Sequence, residues 1–91
     1  MIDIDAFLNC EVAYVVDKDN VVELLTKLET HSNVNWVSGS KPTNYNPFES
    51  CYMRNDDVIT VGMFKHTMDC TGIGYGEMMW FKSHNYKVEV F

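Results

Sequence analysis

Apolar residues recur along this chain with two different periods, and the changes of period divide it into elements. Residues 12–16, VAYVV, are β-branched and aromatic with no breaker, which predicts a strand. Asp17-Lys18-Asp19-Asn20 follows as a helix start, because Asp17 or Asp19 can accept hydrogen bonds from the free N–H groups of a first turn. Val21, Leu24, Leu25 and Leu28 then fall at i, i+3, i+4 and i+7, the signature of an amphipathic helix. Glu23 and Lys27 are spaced as an i, i+4 ion pair on its outer face, and His31 falls in the last turn, where the carbonyl ends favour a cation. Residues 34–37 predict a short strand returning beside the first. A polar loop runs from Ser38 to Glu49. Residues 50–54 and 58–64 predict two more strands joined by a turn at Asn55-Asp56-Asp57. Residues 65–76 read as irregular, residues 77–83 as a short helix, and YKVEVF at 86–91 as a closing strand with Lys87 and Glu89 on its polar side.

The predicted order is β-α-β-β-β-α-β in one domain covering residues 1–91. The expected fold class is α+β: a small single sheet of about five strands, mostly antiparallel, with one long amphipathic helix on one face. A β-α-β opening favours a right-handed crossover, so the first two strands are expected to be parallel.

Length and charge narrow the function classes. A chain of 91 residues buries a modest share of its surface, which favours stability shared with a partner, so a homo-oligomer is expected. No apolar run is long enough for a membrane-spanning helix, and no charged, apolar and small-residue series marks a secretory signal. The expected location is the cytoplasm, with no membrane partner. The three cysteines, Cys10, Cys51 and Cys70, are odd in number and widely spaced, which fits reduced core residues rather than a disulfide scaffold. Net charge is −6, and it is uneven. Residues 1–30 hold seven acids and two bases, residues 31–91 six acids and five bases. Such a chain lacks the basic footprint of direct nucleic-acid binding, whereas its acidic first third could meet a basic protein groove.

Three stretches carry candidate chemistry. The first, NWVSGSKPTNYNPFESCY at 35–52, joins aromatic residues to donors and to two prolines that restrict the loop. Trp36, Ser38, Ser40, Lys41, Thr43 and Tyr45 are its candidate ligand-binding residues, with Gly39 supplying the turn and Tyr45, Phe48 and Tyr52 equally readable as satellite core. The second, TGIGYGE at 71–77, sets glycines at alternate positions before a helix. Its amides, with Gly74 and Tyr75 as candidates, could face an anion, but it matches neither a dinucleotide nor a P-loop fingerprint and reads more readily as a turn or bulge whose glycines let Tyr75 and Trp80 pack. The third is Lys65-His66, which with Arg54, Lys41 and Lys82 could line an anion site. His66 and Cys70 form H-x3-C without a second ligand pair, so no metal and no cofactor is expected. No serine, histidine and acid or cysteine and histidine set stands out as catalytic.

The strand, acidic cap and leucine helix followed by the box Trp36-Val37-Ser38-Gly39 resemble a group of small uncharacterised proteins of bacterial viruses and their prophages. Cys51-Tyr52 and the aromatic-x-lysine helix before a final apolar strand, Trp80 to Phe91, share that resemblance, which spans roughly residues 12–91 as a spaced pattern. It implies a viral accessory origin and action by binding, with no catalytic residue carried over. Two readings follow. In one, a non-enzymatic protein sequesters a small anionic, nucleotide-like ligand. In the other, an acidic inhibitor docks on a basic groove of a host defence enzyme.

Overall fold

In the computed structural model, which describes residues 2–49, 53–54, 56–66 and 70–91, four strands form one mixed sheet. They are β1 (Val12–Val16), β2 (Ile59–His66), β3 (Cys70–Gly76) and β4 (Lys87–Val90), in the spatial order β3-β2-β1-β4. β1 pairs antiparallel with β2, with Tyr14 opposite Val61, and β2 pairs antiparallel with β3, with Met63 opposite Ile73. β4 lies parallel to β1, with Ala13 beside Val88. Among the described residues three α-helices accompany the sheet: α1 (Ile4–Leu8), α2 (Val21–His31) and α3 (Met78–Ser83). The class is α+β.

Successive residues of a strand face opposite ways, and the two faces are covered differently. On one face, Val21, Leu24, Leu25 and Leu28 of α2 meet Val12, Tyr14, Val16, Val61, Met63 and Ile73, with Phe7 of α1 closing the cluster. Burial of each such side chain contributes about 1.5–3 kcal/mol, which is why α2 needs no stronger cap than it has. Asn20 is its N-cap and makes no side-chain bond into the helix. The acid expected there serves the preceding turn: Asp17 Oδ1 accepts from the N–H of Asp19 (2.8 Å) and of Asn20 (3.0 Å). On the other face, the fully buried Phe81 of α3 seats over Gly62 and Ala13, where a Cβ on Gly62 would stand 2.6 Å from its Cε1.

Several expectations change. The strand predicted at 34–37 is a single parallel bridge, Trp36 to Ile73, on the outer edge of β3 rather than beside β1. It ends there because the chain turns back: Trp36 N–H donates to Ser40 O, and Gly39 N–H, the next donor a parallel ladder would need, donates to Trp36 O instead, both at 2.8 Å. Gly39 sits at φ +98°, the left-handed region that glycine tolerates. The parallel partner of β1 is therefore β4. Residues 65–76 are not irregular: β2 continues to His66, and β3 carries the alternating glycines. The strand expected at 50–54 falls largely outside the described residues, while Met53 and Arg54 are not in a strand. Asn55 also lies outside them, and Asp57 Oδ2 accepts from Arg54 N–H (2.7 Å) in the turn leading to β2. The short helix α1 was not foreseen; Asp3 caps it by accepting from Ala6 N–H at 3.0 Å. Glu23 and Lys27 do not pair; among the described residues the ion pair is Lys87–Glu89, at 3.7 Å.

Candidate functional site

The loop after α2 is fixed to the body at several points. The Trp36 ring is 4% exposed, and its Nε1–H donates to Pro42 O at 3.0 Å. Pro42 and Pro47 are buried in two short 3-10 turns, Pro42–Asn44 and Pro47–Glu49. Thr43 grips α2 through its backbone N–H and its hydroxyl, which both donate to Glu29 Oε1, at 3.1 and 2.7 Å. Those two bonds, the hydroxyl's first, hold the Glu29 carboxyl below its usual range, and the nearby Lys41 charge adds a smaller pull. Half-buried Phe48 packs against the core. A loop held in this way has little ordering entropy left to lose on binding.

Above Trp36 this frame presents two tyrosines. Tyr45, from the loop, meets the indole edge-on with ring centres 5.2 Å apart and planes at 86°. Tyr75, from β3, meets it edge-on at 6.2 Å and 88°. Their hydroxyls lie 3.4 Å apart, and the rings are 39% and 37% exposed. The hydrogen bond with Tyr45 is the main reason the Tyr75 hydroxyl is pushed above its ordinary pKa, with partial burial second. The Tyr75 phenol is therefore neutral at physiological pH, and the pair offers ring surface with a shared polar tip.

The other predicted residues do not all join this cluster. Ser38 is exposed, and Ser40 is half-buried with its carbonyl taken by the Trp36 turn. Lys41 is exposed and lines a shallow groove of about 310 Å³ with Glu29, Ser32 and Asn35, on the α2 side of the loop. Arg54 is exposed in the turn before β2. Lys65 and His66 end β2, and their side chains lie outside the described part. Gly74 is a correction to the amide-cradle reading. It is a strand residue opposite Gly62, and the Phe64 ring lies over it, 2.8 Å from where a Cβ would stand. Its glycine identity serves packing on the face opposite Tyr75.

A second aromatic group lies on the α3 face and was not anticipated. Trp80 stacks on His84 with ring centres 4.0 Å apart, and packs against Phe64 at 4.8 Å with the planes tilted by 32°. His84 Nδ1 lies 2.8 Å from Trp80 O and 3.1 Å from Ser83 Oγ. Tyr86 donates to Met63 O at the end of the β1–β2 ladder. Burial first, and then the Cys10 thiol beside it, push the Tyr86 hydroxyl up to about 12. The only sequence signal for this group was the spacing of aromatics between Phe64 and Tyr86. Among the described residues no three His, Cys, Asp or Glu side chains converge to hold a metal ion, and no helix is long and apolar enough to cross a membrane.

No family model matches the chain, and no curated protein or solved structure matches it.

Proposed function

We propose that this is a non-enzymatic binding protein that sequesters a small, planar, anionic ligand such as a nucleotide-derived signal, as a cytoplasmic accessory or counter-defence protein of a bacterial virus. The observation that carries the reading is the half-exposed Tyr45–Tyr75 pair, held edge-on to a buried tryptophan by a loop bonded to α2. A base stacks on the tyrosines, and its phosphate extends across the loop to the Lys41 ammonium in the α2 groove. Trp36 supports the site from below rather than stacking on the ligand.

Adenosine monophosphate and a cyclic dinucleotide serve as probes in an isothermal titration. Base–aromatic stacking is worth about 1–3 kcal/mol, so Tyr45→Ala weakens binding roughly fivefold to a hundredfold. Lys41→Ala weakens it further and reduces its salt sensitivity. Equal affinity of wild type and both variants would place the ligand elsewhere.

The acid surplus supports the second reading, an inhibitor of a host defence enzyme. Asp5, Glu11, Asp19 and Glu23 are exposed around α1 and α2, and none forms an ion pair among the described residues. Capture of a host protein from lysate that fades steeply with added salt would favour it over sequestration.

A further inference from the structure

We infer that β4 is a self-complementary edge through which two copies of this chain join their sheets into one, in antiparallel register about Val88. β4 ends the sheet, and among the described residues nothing pairs with its outer side. Lys87 N–H donates to Glu11 O (2.8 Å) and Phe91 N–H to Val15 O (3.0 Å), which fixes the phase of the strand. Residues 87, 89 and 91 direct their backbone groups toward β1, so the N–H and C=O of Val88 and Val90 point outward. The side chains there are open as well. Val90 is 82% exposed, and the Lys87 and Glu89 side chains are 76% and 45% exposed.

Charge selects both the partner and the register. Lys87 and Glu89 share the α2 face of the strand, in line with Val12 and Tyr14, while Val88 and Val90 share the α3 face. A two-fold pairing with Val88 opposite Val88 of the second copy sets Lys87 opposite the partner's Glu89, and Glu89 opposite the partner's Lys87. It also lets the two Val88 residues exchange both N–H···O bonds, and each Val90 N–H reach the partner's Tyr86 carbonyl. Tyr86 has no N–H to return, because that group already donates to Phe81 O at 3.0 Å. Sliding the register to bring Glu89 opposite Glu89 faces like charges and presents the inward groups, while centring on Val90 leaves Lys87 unmatched. A one-residue slip would oppose apolar to charged faces. Lysine on an edge strand normally deters pairing. Alternated with glutamate two positions on, it deters other strands and admits its own copy. The edge lies at the far side of the sheet from Tyr45 and Tyr75, so this inference stands or falls separately from the ligand site.

Sedimentation velocity of the full chain over a wide range of concentration tests it. Wild type should convert from monomer to dimer as concentration rises. Lys87→Glu and Glu89→Lys should each weaken association roughly tenfold or more, since both symmetry-related pairs become repulsive. Mixing the two variants should restore the dimer, because every cross-strand pair is again Glu against Lys. Circular dichroism confirms that the variants, altered only at exposed positions, stay folded. A wild type that remains monomeric throughout, variants that associate as wild type does, or a mixture that stays monomeric would each overturn the inference.

Discussion

Replacing Trp36 with phenylalanine separates the frame of the candidate site from its recognition surface. The indole is 4% exposed, and its only polar atom donates to Pro42 O at 3.0 Å. Phenylalanine keeps an aromatic ring in the slot but removes the donor, leaving a buried carbonyl unpaired at a cost of about 1–3 kcal/mol. The smaller ring also loosens the edge-on contacts to Tyr45 and Tyr75, where an aromatic pair contributes about 0.5–1.5 kcal/mol. A loss of roughly 2–3 kcal/mol follows, a large share of the roughly 5–14 kcal/mol expected for a chain of this size. At about 4–8 °C per kcal/mol, Trp36→Phe should melt roughly 10–20 °C below wild type in a circular-dichroism scan. Tyr45→Phe is the control. It deletes only a hydroxyl whose partner lies 3.4 Å away on a 39% exposed ring, so its melting point should stay within about 3 °C of wild type. A Trp36→Phe protein that melts within about 3 °C of wild type would mean that the indole does not hold the loop.

Two further predictions probe the other layer. Gly62→Ala brings a methyl group to 2.6 Å from Phe81 Cε1 and 3.0 Å from Ala13 Cβ; with Phe81 fully buried, the variant should lose about 1–3 kcal/mol in urea unfolding, and an unchanged midpoint would contradict the packing of α3 on β2. The Tyr86 hydroxyl, ordinarily near 10, is held at about 12, so the folded state binds its proton more tightly than the unfolded chain does. Its contribution is therefore complete below pH 10 and disappears as pH rises from 10 to about 12; the urea midpoint should fall across that window in wild type and more gently in Tyr86→Phe, and parallel curves would refute the assignment.

What could be read from the sequence was what neighbours in sequence determine. The α2 periodicity, the VAYVV run, the alternation of β4 and the short α3 all repeat within a few residues, and each lies where its pattern placed it. β3 could not be read in this way. Gly72, Gly74 and Gly76 look like a turn until Phe64 is laid over Gly74 and Val37 against Gly72, and those partners come from other elements. The bridge at Trp36 likewise depends on β3 and on a turn that closes three and four residues later, at Gly39 and Ser40. Trp36, Tyr45 and Tyr75 were each legible as candidates, but as members of two separate motifs. Their convergence rests on the Trp36–Ile73 bridge and on the Thr43–Glu29 bond, which spans 14 positions. Gly74 shows the opposite case: its chemistry suited an anion site, yet the fold covers it with a ring.

Native mass spectrometry of the protein purified from cells, compared with the same sample denatured, tests the sequestration claim most directly. Wild type should carry a small added mass that is released on denaturation and absorbs as a nucleobase, and Tyr45→Ala should carry much less of it. A bare wild-type chain, or an adduct that Tyr45→Ala retains in full, would contradict the account.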